Sequence, residues 1–92
     1  MIVDLSEAKS YLRIDFEDDD ALILRLIQTA EELCASVARL TVERLSELGG
    51  DNAHTAVLYT VAYLYEHREE ADHHELTITL RSLLFGIREE GF

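Results

Sequence analysis

Apolar residues recur at three- and four-residue steps along most of the chain, which is the period of an α-helix that buries one face. The longest stripe predicts a second helix over about residues 19–40, on the order of 30 Å long. A short first helix is predicted before it, because Asp4 and Glu7 have capping-box spacing; this helix should end near Arg13 or Ile14. The long stripe consists of Leu22, Ile23, Leu26, Ile27, Ala30, Leu33, Cys34 and Val37.

A third stripe predicts a helix over about residues 53–70, with Ala53, Ala56, Val57, Val61, Leu64 and Tyr65 on its apolar face. Tyr59 and Tyr63 widen the apolar cover beyond that face. A helix that is apolar on most sides is buried on most sides. The two tyrosines therefore predict contact with a partner subunit, and core tyrosines with exposed hydroxyls are the alternative.

Residues 41–52 separate these two helices and are predicted to be a mobile linker, because Gly49 and Gly50 break the pattern. One or two short amphipathic turns through Val42, Leu45 and Leu48 are the alternative for the first part of this segment. A last helix is predicted after a polar turn, capped by Thr77 or Thr79 and followed by apolar positions at Leu80, Leu83 and Leu84.

The composition fits this pattern of helices. The chain has 92 residues, 48% of them apolar, and it contains no proline. We therefore predict a single domain over residues 1–92, an all-α bundle of about four helices with one long central helix. Cys34 is the only cysteine and lies on an apolar stripe, so it is expected to be a core residue in a reducing compartment.

The formal net charge is −11, which argues against binding to nucleic acid through its phosphates. The N-terminus lacks the pattern of a signal peptide, and no apolar run has the length of a membrane span, so we expect synthesis in the cytoplasm and no membrane partner. Serines, histidines and carboxylates form no recognisable catalytic constellation, and we predict neither an enzyme nor a cofactor.

Two clusters have alternative interpretations. The acidic run over residues 15–20 is interpreted as the cap and first turn of the second helix, and calcium binding is the alternative. The run lacks the glycine and the final glutamate of an EF-hand loop. His67, His73 and His74 are interpreted as part of a solvated turn, with metal binding as the alternative, because they form no helical pair of ligands.

Three segments in this order resemble the phage head–tail connector (adaptor) family. The first is Tyr11-Leu12-Arg13-Ile14-Asp15 with the acidic run and the apolar stripe after it. The second is VAYLYEHREEA, residues 61–71, and the third is LRSLLFGIR, residues 80–88. The sequence departs from the family in lacking a proline near the last helix and in carrying His67 where an asparagine is common.

The resemblance implies a structural virion protein that forms a homo-oligomeric ring. Such a ring joins the portal protein to a downstream tail or stopper protein, and DNA passes through its lumen without specific binding. The protein would be made in the host bacterial cytoplasm and would end at the head–tail interface of the virion. An acidic helical inhibitor that mimics DNA, or another protein-interaction module, is the alternative function.

Interface residues are expected on three surfaces. Leu45 or Leu48 should contribute to one axial face, and Ile87 with Phe92 in the C-terminal tail to the other. Tyr59 and Tyr63 should contribute through the wide apolar cover of the third helix. Arg68 is expected to favour the C-terminal end of that helix and to pair with an acid of a neighbouring subunit or of the acidic run.

Overall fold

Four helices make up the regular structure of residues 2–69 and 73–85, the parts of the chain that this computed structural model describes. They are α1 (Leu5–Leu12), α2 (Asp20–Ala38), α3 (Val42–Glu66) and α4 (His74–Leu84). The prediction of an all-α bundle of about four helices is confirmed. α2 packs mainly against α3, and the other two helices pack on this pair.

α1 and α2 begin and end close to their predicted positions. The Asp4 side chain accepts a hydrogen bond from the Glu7 amide at 2.8 Å, and the predicted capping box is present. Each helix ends with an arginine in the left-handed conformation, Arg13 and Arg39, both with φ of 60°. In both cases the next amide bonds to a carbonyl five residues back, which satisfies free carbonyl groups at the helix end.

The segment over residues 41–52 is helical, so the prediction of a mobile linker is wrong. Thr41 caps α3 by accepting a hydrogen bond from the Arg44 amide at 3.1 Å. Leu45 is fully buried in the core, which stabilises this first part of the helix through tertiary packing. The helix axis bends at Gly50, whose φ of 51° and ψ of −139° lie outside the helical region.

The core lies where α2 and α3 meet. The buried positions of α2 include Ile23, Ile27 and Ala30, as the long stripe predicted, and the predicted core position of Cys34 is confirmed. The Cys34 thiol lies 3.5 Å from the hydroxyl of the buried Thr60, which also donates to the Ala56 carbonyl at 2.8 Å. The two helices therefore contact each other through packed aliphatic side chains and one satisfied polar pair.

α4 begins at His74, earlier than the predicted cap positions. Thr77 and Thr79 lie inside the helix, and their hydroxyls donate to the carbonyls of His73 and Glu75, both at 3.1 Å. Their predicted role as caps is therefore wrong. The helix begins earlier because Leu76, which precedes both predicted caps, is buried in the core. The fully buried positions of α4 are Leu76, Leu80 and Leu84.

The N-terminal segment is held on α2 by Glu31. The backbone amide of Ile2 donates to the Glu31 carboxylate at 2.5 Å, and Val3 is fully buried. Glu31 is not part of the apolar stripe of α2, so its burial could not be predicted from the pattern. Within the described residues, no helix combines the length and the apolar character that crossing a bilayer requires.

Candidate interaction surface

The two leucines predicted for an axial face have different environments. Leu45 is fully buried in the subunit, whereas Leu48 is 44% exposed one helical turn later. Of the two alternatives, Leu45 is therefore excluded, because its side chain already packs in the core. Leu48 keeps an apolar surface that a partner could cover. Ile87 and Phe92, predicted for the opposite face, lie outside the described residues.

The two tyrosines of α3 are partly buried and pack against the core. The Tyr63 ring stacks on His67 with centroids 4.2 Å apart, and it meets the edge of His73 at 5.8 Å. Part of the wide apolar surface of α3 therefore packs against other residues of the same subunit. Tyr59 and Tyr63 remain partly exposed, so their contact with a partner stays a prediction.

Tyr65 brings the end of α3 to the start of α2. Its hydroxyl donates to the Asp19 carboxylate at 2.7 Å, and this bond raises the pKa of the tyrosine. The Arg68 guanidinium lies over the same ring, 4.9 Å from its centroid. Arg68 is therefore near the acidic run, one of its two predicted partners, with the Tyr65 ring between them.

The acidic run is divided between internal contacts and exposed side chains. Asp19 is the residue before α2, but its carboxylate caps no amide and binds Tyr65 instead. Asp20 lies 2.7 Å from the Lys9 ammonium. The run therefore provides the residue before α2 and the acidic residue of its first turn, as interpreted from the sequence, but no side-chain cap. Residues 15–18, which we call the acidic loop, are all exposed, and Phe16 in the middle of this loop is 48% exposed.

The outer face of α4 carries apolar and basic side chains that were not predicted as interface residues. Ile78 is 49% exposed and Phe85 is 76% exposed, and the exposed Arg81 lies between them in sequence. Spacings of three and four residues place all three side chains on one face of the helix. The signal available in the sequence was the position of Ile78 and Phe85 outside the buried stripe of α4.

Arg81 also borders a groove between the end of α2 and α4, which we call the arginine groove. Its lining residues are Leu33, Ser36, Val37, Arg39, Thr77 and Arg81. The chain has only eight lysines and arginines, so two of them in one groove form a local basic surface on an acidic protein. A basic groove beside exposed apolar groups is suited to binding an acidic segment with an apolar anchor.

The groups considered for chemistry have other roles where the structure describes them. His67 and His73 pack on Tyr63, and the described His, Cys, Asp and Glu side chains form no group of three that could hold a metal ion. Burial raises the pKa of the Cys34 thiol to about 11, which disfavours the reactive thiolate. Calcium or zinc binding thus gains no support from the described residues.

Taken together, the described residues form a frame of four helices that exposes apolar and charged side chains. A family model for the phage gp6-like head-tail connector protein matches residues 2–90. Since the match covers nearly the whole chain, the chain belongs to this family, as the three sequence segments indicated. Comparison with curated proteins and with solved structures gives no match.

Proposed function

We propose that this chain is the subunit of a ring that joins the portal vertex of a phage head to the next tail component. The observation that carries the proposal is the family match over residues 2–90. Membership in a head–tail connector family makes the chain a structural phage protein that interacts with head and tail proteins. The ring, the portal contact and the passage of DNA are the parts that we propose.

A closed ring requires two different surfaces on each subunit, so that one surface of a subunit fits the other surface of its neighbour. Two candidates of opposite charge are the acidic loop and the arginine groove. They lie at opposite ends of α2, as head-to-tail association requires. Two copies related by a two-fold axis would instead pair the same two surfaces twice, so the number of subunits in the assembly separates a ring from a dimer.

The axial faces of the ring would bind the portal protein on one side and a tail or stopper protein on the other. Leu48 is the exposed apolar residue that we assign to one face, and the tail residues Ile87 and Phe92 are assigned to the other. Tyr59, Tyr63 and Arg68 remain proposed contacts on the side of the subunit. The assembled protein would be located at the head–tail interface of the virion, after synthesis in the host bacterial cytoplasm.

The charge of the chain suits a ring through which DNA moves. A net charge of −11 repels the phosphate backbone, so a duplex in the lumen would pass without binding. The same charge suits the alternative function, an acidic inhibitor that mimics DNA. Family membership favours the connector, because its description names a head–tail protein. It also supports a non-enzymatic role.

Electron microscopy of the purified chain mixed with its portal protein tests the proposal. We expect rings, or portals with one end occupied by added density, at high protein concentration. Portals that stay unoccupied at every concentration would contradict the connector role. A strictly monomeric or dimeric chain that binds and inhibits a DNA enzyme would instead support the inhibitor.

A further inference from the structure

We propose that the acidic loop of one subunit binds the arginine groove and the adjoining face of α4 on a second copy of this chain. The inference rests on the proposed ring and names its two contacting surfaces. Phe16 would be the apolar anchor of the loop, and it would pack on Ile78 and Phe85. The exposed carboxylates of the loop would pair with Arg39 and Arg81.

The loop is a suitable ligand because its ends are fixed, by burial of Ile14 before it and by side-chain contacts after it, while its centre is exposed. Asp19 is bound to Tyr65 and Asp20 to Lys9, so the segment before α2 is held against the subunit. Between Asp15 and Asp18 the chain presents three carboxylates around one half-exposed aromatic ring. A fixed loop loses little conformational entropy on binding, which favours association.

The receiving surface has the complementary composition. Ile78 and Phe85 are exposed apolar groups on the same face of α4 as Arg81, and Arg39 lies on the other side of the groove. Arginine binds carboxylates through a planar pair of donors, which gives the contact an orientation as well as attraction. The match in both charge and apolar anchor favours an acidic protein segment over DNA, which the whole chain repels.

Distance within the subunit requires that the loop come from another copy. The loop precedes the first residue of α2, and Arg39 follows its last residue. A helix of this length separates its ends by about 27 Å. One subunit therefore cannot fill its own groove, and each copy would offer a loop at one end and a groove at the other.

The backbone at Arg39 guides the choice of a variant. Its φ of 60° is the left-handed conformation that glycine adopts most readily at a helix end. Arg39→Gly therefore removes the guanidinium while preserving the backbone conformation of the helix end.

Disulfide trapping between two variants, each with one added cysteine, tests the contact. Asp18→Cys is mixed with Ser36→Cys, which places a thiol in the groove, and the mixture is mildly oxidised. Cys34 stays in place because it is buried. Mass spectrometry of the digested protein then quantifies the disulfide between positions 18 and 36. The control pair is Asp18→Cys with Thr29→Cys, an exposed position two turns earlier on α2.

We expect the 18–36 disulfide to exceed the 18–29 disulfide about tenfold, after correction for the reactivity of each thiol towards a neutral small disulfide. Adding Arg39→Gly and Arg81→Gln to the Ser36→Cys partner should reduce the 18–36 yield about tenfold, as expected for the loss of two exposed charge pairs. Arg25→Gln, an exposed arginine outside the groove, should leave the yield unchanged. Circular dichroism checks that every variant is folded.

Equal yields of the 18–36 and 18–29 disulfides would overturn the proposal. If portals are still occupied in that case, the connector role stands and the subunits meet through other surfaces. If the 18–36 contact forms but portals stay unoccupied, the contact stands and the connector role fails. A gel shift of duplex DNA that Arg39→Gly with Arg81→Gln abolishes would also overturn the proposal, because the groove would then bind phosphates.

Discussion

Cys34 connects the two central helices through a thiol that is fully buried and 3.5 Å from the Thr60 hydroxyl. Burial is the main reason that its pKa is raised from 9.0 to about 11, and the nearby Glu31 charge adds to the increase. The hydrogen bond to Thr60 acts in the opposite direction but is outweighed. The folded state therefore favours the protonated thiol more strongly than the unfolded chain does.

This difference predicts how stability changes with pH. The contribution of Cys34 is fully present below pH 9 and is lost as the pH rises through about 11, since only the unfolded chain ionises readily in that interval. We expect the natural chain to lose up to about 2 kcal/mol more than Cys34→Ala over this interval. Urea unfolding at a series of pH values measures this difference in the free energy of unfolding. Parallel pH profiles for the two proteins would contradict the prediction.

At the scale of elements, α3 is two helical segments joined at a bend. The first segment is short and is fixed by the Thr41 cap and by burial of Leu45. The bend at Gly50 uses a positive φ that residues with a side chain rarely adopt. It redirects the second segment so that Thr60 meets Cys34 and Tyr65 reaches Asp19.

Replacing the bend glycine should therefore destabilise the fold. Open space surrounds the position where a Cβ atom would lie at Gly50, so backbone strain is the cause and steric overlap is not. Gly50→Ala should lower the free energy of unfolding by about 1–2 kcal/mol. Ser46→Ala, at an exposed helical position of the first segment, is the control and should change it by less than about 0.5 kcal/mol. Urea denaturation measures the free energy of unfolding of each variant. Equal values for Gly50→Ala and the natural chain would show that α3 straightens at no cost.

At the scale of the whole molecule, charge is distributed unevenly along α2. The acidic loop precedes the helix, and the arginine groove lies at its other end. The net charge of −11 nevertheless dominates at distances beyond one contact. Attraction to an acidic loop can act locally at the groove, while an extended duplex experiences the repulsion of the entire surface.

The chain should therefore not bind duplex DNA. We expect no gel shift at moderate salt, because a protein gains affinity for DNA by neutralising phosphates with many cations. The assay is most sensitive at low salt, because ions then screen the charges of protein and DNA least. A shift that weakens steadily with added salt would show that the basic side chains outweigh the net charge.

Much of the fold could be predicted from the sequence because its signals are local. The α2 stripe, the Asp4 capping box and the core position of Cys34 depend on spacing within one helix. The break at the two glycines was also recognised, although it proved to be a bend inside a helix. Order of motifs along the chain was sufficient to indicate the family, which the match over residues 2–90 confirms.

Tertiary structure decided the features that depend on distant residues. Burial of Leu45 and Leu76 extended two helices beyond their predicted starts, and contact with Ile2 placed Glu31 in a buried position. The candidate contact surfaces also depend on packing, because Arg39 and Arg81 are 42 positions apart in sequence. A one-dimensional pattern determines which face of each helix is apolar, but only packing determines which faces are covered and which charged side chains become neighbours.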